Sequence, residues 1–252
     1  MTILTLSKNV SMNNNSIFLK QCNKILQALP QDEWDRWFPY LEFVDLKAGQ
    51  SLYNQSSNNA YIYFPITCII SLMCELDDGA SIEFGHIGNE GLVGGHLLAS
   101  TPPATRKIEV IHSGACYKIH KQIVQTELEK SGPFRRLLMR YMFYQMFTSA
   151  QLLICTRKHN ILQQLSKLLL SIHDKVSGNE LTITQELLSN LLGVRREGVS
   201  EAINKLDKMN LIEHKRGSIK LVDVEGLKNQ ACECYQLIAQ EQDKMLPMSV
   251  AV

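Results

Sequence analysis

The chain has no long apolar run. Nowhere among its 252 residues does an uncharged hydrophobic stretch approach the roughly 20 residues that cross a bilayer. The longest, Tyr61 to Cys74, contains Pro65 and is rich in β-formers, so it reads as strand. The N-terminus lacks the basic start and apolar core of a signal peptide and reads as a loose tail around Asn13-Asn14-Asn15. Paired cysteines are also missing. The seven cysteines are odd in number and scattered, which argues against a disulfide framework and for reduced thiols in a cytoplasmic protein. Cys232 and Cys234 are too close for the usual zinc spacing, and no second pair stands near them in sequence, so no metal or cofactor is expected. No Gly-x-Ser-x-Gly and no phosphate-binding loop occurs, so nucleophilic and nucleotide chemistry have no visible seat and the chain is read as a non-enzyme. Net charge is nearly absent too, at +1, with 20% charged and 45% hydrophobic residues, as in an ordinary globular protein.

The most informative segment runs from Leu181 to Asp223. Thr182-Ile183-Thr184 supplies N-cap chemistry ahead of an apolar-periodic run. A first helix is expected over Gln185–Leu192, and Gly193 stops it. A second helix is expected from Arg195 or Arg196. At about 100° per residue, Val199, Ala202, Ile203 and Leu206 share one face. Arg196, Ser200 and Asn204 lie opposite, flanked by Glu197 and Glu201. That order of helix, glycine turn and helix is a helix-turn-helix. Arginine, carboxylate and asparagine are the groups that pair with base edges, so Arg196, Glu197, Ser200, Glu201 and Asn204 are the expected base readers.

Two short strands follow, Leu211–His214 and Ser218–Leu221, joined by Lys215-Arg216-Gly217. This makes the motif winged. The cations at the hairpin tip suit phosphate contact, and Thr184, Gln185, Arg195, Lys215 and Arg216 are the expected phosphate holders. From Arg157 to Lys220, eleven Lys and Arg accompany seven Asp and Glu. A basic end on a nearly neutral chain points to nucleic acid.

The front half has a different pattern. Helical periodicity over Ser16–Leu29 and a short helix opened by Pro30 precede β-prone runs at 42–46, 51–53, 60–64, 68–76, 81–87, 107–111 and 115–119. Turn chemistry separates them, which predicts a sandwich or barrel. A long helix is then expected over Pro133–His159. Leu138, Tyr141, Gln145, Thr148, Leu152 and Cys155 alternate spacings of three and four, a heptad seam that calls for a partner helix, most simply a second copy of the chain. The competing arrangement packs this helix on its own β-domain.

A β-roll, a long helix and a C-terminal winged helix-turn-helix in this order resemble the bacterial Crp/Fnr (cyclic-AMP receptor protein/fumarate-nitrate regulator) family over roughly residues 17 to 225. The motifs that carry the resemblance are Leu192-Gly193-Val194-Arg195-Arg196-Glu197-Gly198-Val199-Ser200, Gly88-Asn89-Glu90-Gly91-Leu92-Val93-Gly94 and Ala231-Cys232-Glu233-Cys234-Tyr235. The resemblance implies an α+β chain. An N-terminal cyclic-nucleotide-binding-like β-roll (jelly roll) would span 1–132, a dimerisation helix 133–159, and a winged helix-turn-helix DNA-binding domain 160–252. It implies that Arg196 and Glu197 open the recognition helix and read the outer bases of a palindromic half-site. Glu201 stands where a second arginine is usual. The matching effector region is Gly94, Gly95, His96, Arg106 and Lys107. There the glutamate and serine that hold a cyclic nucleotide are missing, so cyclic AMP is not expected as the effector. Only Cys22 lies where the family's oxygen sensors cluster cysteines, so no iron-sulfur cluster is expected either.

Two other readings compete. A cupin-like enzyme would draw a metal site from Glu83, His86, His96 and His112. Glu83 and His86, however, are an odd number apart and on a regular strand face opposite sides. A β-roll module acting through a ligand or protein contacts, with a C-terminal domain that does not read DNA specifically, is the alternative regulator. The leading expectation is a cytoplasmic homodimeric transcription regulator whose partners are double-stranded DNA, RNA polymerase and an unidentified small-molecule effector, with no membrane role.

Overall fold

The computed structural model describes residues 20–53, 60–75, 77, 81–98, 107–130 and 132–245. The expected N-terminal tail and Arg106 lie outside the described residues.

Two short helices, α1 (Lys24–Gln27) and α2 (Gln31–Trp37), lead into the sheets. Asn23 caps α1 by accepting from the Ile25 and Leu26 amides, and its Nδ2 donates to the Pro65 and Gly91 carbonyls. This buried side chain therefore stitches the entry segment to two loops. Seven strands follow: β1 (Glu42–Leu46), β2 (Ser51–Tyr53), β3 (Tyr61–Pro65), β4 (Ile69–Glu75), β5 (Ser81–Ile87), β6 (Lys107–His112) and β7 (Gly114–His120). They form two antiparallel sheets, ordered β1-β7-β3 and β2-β6-β4-β5. Leu46, Leu52, Ile70, Ile87, Val110 and Cys116 form one apolar core among them. Strand β5 buries every second residue from Glu83 on, as a half-polar strand does, whereas β3 and the start of β4 are buried on both faces.

Helix α3 (Lys121–Lys130), which the sequence pattern did not announce, precedes the long helix α4 (Gly132–Lys158). Trp34, Trp37, Phe64, Phe134 and Tyr141 build a second core beneath α4. Trp37 meets Phe134 edge-on, with ring centroids 4.7 Å apart, a preferred aromatic geometry. Tyr141 lies against the Gly88–Gly94 loop: its hydroxyl donates to the Leu92 carbonyl at 2.8 Å. A Cβ at Gly91 would overlap the Tyr141 ring, which gives that motif glycine a packing reason.

The expected heptad seam is corrected here. Tyr141 and Cys155 are buried within the protomer. Gln145 Nε2 donates to the Tyr141 hydroxyl at 2.5 Å, Leu138 packs on the second core, and Thr148 and Leu152 line an internal cavity. These six residues face their own chain. The outward face carries Met139, Met142, Phe143, Met146, Leu153 and Ile154, all exposed. Both stripes have helical spacing, and the sheet captures the one with hydrogen-bonding tips.

The C-terminal part contains α5 (Ile161–His173), β8 (Glu180–Thr182), α6 (Gln185–Leu192), α7 (Arg196–Lys208), β9 (Ile212–Lys215), β10 (Ser218–Leu221), α8 (Val224–Gln230) and α9 (Cys234–Met245). Asn160 and Gln163 form a reciprocal capping box that opens α5 immediately after α4 ends. The core of this part joins Leu165, Leu169, Leu188, Ile203 and Leu206 to Ile69, Met73 and Ile111 of the sheet. An ion pair adds to the junction. Lys175 Nζ lies 2.8 Å from Glu90 Oε1, with both side chains almost fully buried.

Candidate nucleic-acid interface

Helix α6 begins where the sequence placed it. The Thr184 hydroxyl oxygen accepts from the Leu187 amide at 3.1 Å, an N-cap bond. Gly193 closes α6 at φ 64°, ψ 34°, the left-handed conformation that glycine adopts without Cβ strain. The chain then re-enters a helix at Arg196. Val199, Ala202, Ile203 and Leu206 of α7 are buried, while Arg196, Glu197, Glu201 and Asn204 are exposed. Burial of one face therefore fixes the other toward solvent. Arg195 caps α7 without a side-chain bond and is itself exposed.

Ser200 differs from the other expected readers. It is half-buried, and its hydroxyl donates to Gln185 Oε1 at 2.7 Å. The contact joins an expected base reader to an expected phosphate holder. Gly198 is set close to α5: a Cβ there would press on the end of the Ile161 side chain.

The wing is a three-stranded sheet, ordered β8-β10-β9. The strand β8 was not read from sequence; its three residues carry too little periodicity to stand apart from a loop. Ser218 pairs with Lys215, leaving Arg216-Gly217 as a two-residue turn with Gly217 at φ 83°. Lys215 and Arg216 are exposed at its tip. One residue before the tip, His214 Nδ1 is bonded to Asp207 near the C-terminal end of α7, which ties the hairpin to that helix.

The expected effector residues are partly brought together. Gly94 adopts φ 103°, and His96 meets the Tyr53 ring edge-on at 5.3 Å. Lys107 is next in sequence to Ile108, the register partner of Tyr53, and Lys107 Nζ is 2.5 Å from Glu109. A cavity of about 240 Å³ opens elsewhere, between β5, α4, α5 and α9. His86, Glu90, Lys167, Lys175 and Gln242 are among its polar walls. Sequence reasoning missed this cavity because its walls are drawn from segments far apart in the chain.

Glu83 and His86 also correct an expectation. Leu72 pairs with Gly85 but Met73 pairs with Glu83, so Phe84 is an extra residue, a β-bulge. The bulge re-phases β5 and brings Glu83 Oε2 within 3.3 Å of His86 Nδ1. Ser71 Oγ donates to Glu83 at 2.8 Å, and His86 Nε2 lies 3.1 Å from Ser171 Oγ. The two side chains serve a hydrogen-bonded relay between sheet and α5.

Glu90 carries a telling ionisation. Burial alone would raise its pKa, but the Lys175 ammonium and the Gly88 amide more than offset this and hold it below the ordinary carboxylate value. The carboxylate is thus kept charged inside the junction.

No helix among the described residues is long and apolar enough to cross a membrane. No curated protein matches the sequence. Residues 163–230 match the family described as the Crp-like helix-turn-helix domain. Solved structures share the wider fold. A protein from Eubacterium rectale, assigned to the Crp/Fnr family of transcriptional regulators, superposes with a TM-score of 0.66 at 16% identity, covering 83% of this chain and 98% of that one. FixK2 from Bradyrhizobium japonicum gives 0.62 at 13% identity, over 76% and 98%. A Crp/Fnr-family transcriptional regulator from Thermus thermophilus gives 0.60 at 18% identity, over 75% and 98%. Residues 163–230 are thus similar to the Crp-like helix-turn-helix domain, and the chain shares the fold of solved Crp/Fnr-family structures.

Proposed function

We propose that this chain is a sequence-specific DNA-binding transcription regulator that acts in the cytoplasm as a homodimer on a palindromic operator. The observation that carries the reading is the two-faced helix α7. Its apolar face is locked in the core, Arg196, Glu197, Glu201 and Asn204 project from the other, and Lys215 and Arg216 are exposed at the wing tip. Such a helix offers a guanine-reading arginine and a cytosine-accepting carboxylate to one major groove. Thr184, Gln185, Arg195, Lys215 and Arg216 would hold the phosphates on either side of that groove.

The exposed apolar stripe of α4 supports the dimer. Phe143 and Met146 are each 63% exposed, and an exposed apolar stripe of this kind marks an interaction surface. Two copies joined along it would present two recognition helices to one duplex, and half-site spacing would follow from the dimer axis. An effector would act by preferring one angle between the DNA-binding heads, and RNA polymerase would be the downstream partner. Gly94-Gly95-His96 lacks the acidic partner for a ribose hydroxyl, which supports an effector other than cyclic AMP.

Selection from a random duplex library tests the proposal. A recovered palindrome with two half-sites about one helical turn apart is the expected result. Recovery without any sequence enrichment would instead favour a β-roll regulator whose C-terminal domain does not read DNA.

A further inference from the structure

Four metal-ligating side chains converge where α4 ends and α9 begins. Cys155 and His159 are one helical turn apart, so they share a face. Cys232 and Cys234 bracket Glu233 at the start of α9. Their ligand atoms all lie within 4.8 Å of one another. Cys155 Sγ is 3.5 Å from Cys232 Sγ, and Cys234 Sγ is 3.6 Å from His159 Nδ1. The three cysteines are buried, and the His159 side chain is only 11% exposed.

We propose that Cys155, His159, Cys232 and Cys234 form a closed structural zinc site that fastens the end of the long helix to the C-terminal helix. A tetrahedral zinc with bonds of about 2.3 Å to sulfur and about 2.0 Å to nitrogen has ligand–ligand edges of about 3.5–3.8 Å. The two separations above lie at that length. An iron-sulfur cluster spreads its thiolates around several irons and needs a wider cage. Four protein ligands also leave no open position for water, the mark of a structural rather than a catalytic zinc.

The surroundings fit the same ion. His159 Nε2 is 3.2 Å from the Glu233 carboxylate. Donation from Nε2 to Glu233 leaves the Nδ1 lone pair aimed at the cluster, the usual outer support of a metal-bound histidine. Gln151 Nε2 donates to Cys234 Sγ at 3.1 Å, a bond that favours thiolate. Zinc with three thiolates carries one net negative charge, and the buried Lys167 ammonium acts electrostatically on Cys155. Loading expels the thiol protons to solvent and changes no oxidation state. The short Cys-x-Cys spacing hid this site, because its other two ligands come from a helix turn 73 to 79 residues upstream.

The test uses the full chain, reduced and stripped of metal, titrated with Co²⁺ and then Zn²⁺. One equivalent of Co²⁺ is expected to give the visible bands of tetrahedral cobalt and thiolate charge transfer in the near ultraviolet, bleached by one equivalent of Zn²⁺. Elemental analysis of protein purified without a metal-affinity step should find one zinc per chain. Glu233→Ala, at an exposed position, should weaken binding about 10–100-fold, and Cys74→Ser, at an exposed cysteine outside the cluster, should not change it. Absence of the cobalt spectrum in the reduced wild-type chain would overturn the proposal. So would an unchanged spectrum and affinity in Cys232→Ser. A Cys155–Cys232 disulfide in protein prepared under reducing conditions would overturn it as well.

Discussion

The Ser200 hydroxyl donates a hydrogen bond to Gln185 Oε1 at 2.7 Å, joining the second turn of the recognition helix to the first residue of the helix that precedes it. It holds the Gln185 side chain, a proposed phosphate contact, against the helix proposed to read bases. Ser200→Ala should therefore cost about 0.5–1.5 kcal/mol of stability and also weaken DNA binding. Gln185→Ala should produce the same losses. A double-mutant cycle in urea unfolding and in duplex binding should give a double variant little worse than either single one. Full additivity would show that the two side chains act independently.

Arg196 and Arg216 are both exposed but stand on different elements, and their replacement should have different signatures. Arg196→Ala should cost about 1–3 kcal/mol on the selected operator and relax selectivity at one base position. Arg216→Ala should weaken all duplexes evenly and reduce the slope of log affinity against log salt by about 1. Binding to operator and to single-base variants over a salt series distinguishes them.

The two faces of α4 predict opposite outcomes. Phe143→Glu or Met146→Glu places a charge on the exposed stripe. It should halve the mass seen in sedimentation while leaving the monomer folded. Tyr141→Phe removes the bond to the Leu92 carbonyl on the inner face. It should lower stability by about 1 kcal/mol and leave the sedimentation pattern as it was.

The Glu90–Lys175 pair predicts acid sensitivity. The folded pKa of Glu90 lies below its unfolded value of about 4.3. The pair's contribution is then fully present above that unfolded value and is lost as pH falls through the folded one. Glu90→Gln strands a buried ammonium and should cost about 3–5 kcal/mol near neutrality. Melting temperatures from pH 7 down to pH 3 should show wild type converging on the variant. A constant difference across that range would count against the pair as the source.

Local chemistry determined much of the DNA-binding half from sequence alone. A threonine cap, a leucine face and a left-handed glycine gave α6 its bounds of Gln185 and Leu192, and an apolar row of four gave α7 its orientation. These features are decided within a few turns, so they are legible in order. Tertiary structure decided the rest. Helical spacing shows which residues share a face but not what covers that face. The stripe through Tyr141 went to the sheet and the stripe through Met146 to solvent, although both have the period of a seam. One extra residue at Phe84 reversed the phase of β5 and brought Glu83 to His86, which strict alternation forbids. The cysteine–histidine cluster and the Glu90–Lys175 pair join positions far apart in the chain. Only the packed core holds such positions together, because contact there depends on how whole elements dock and not on the spacing of their residues.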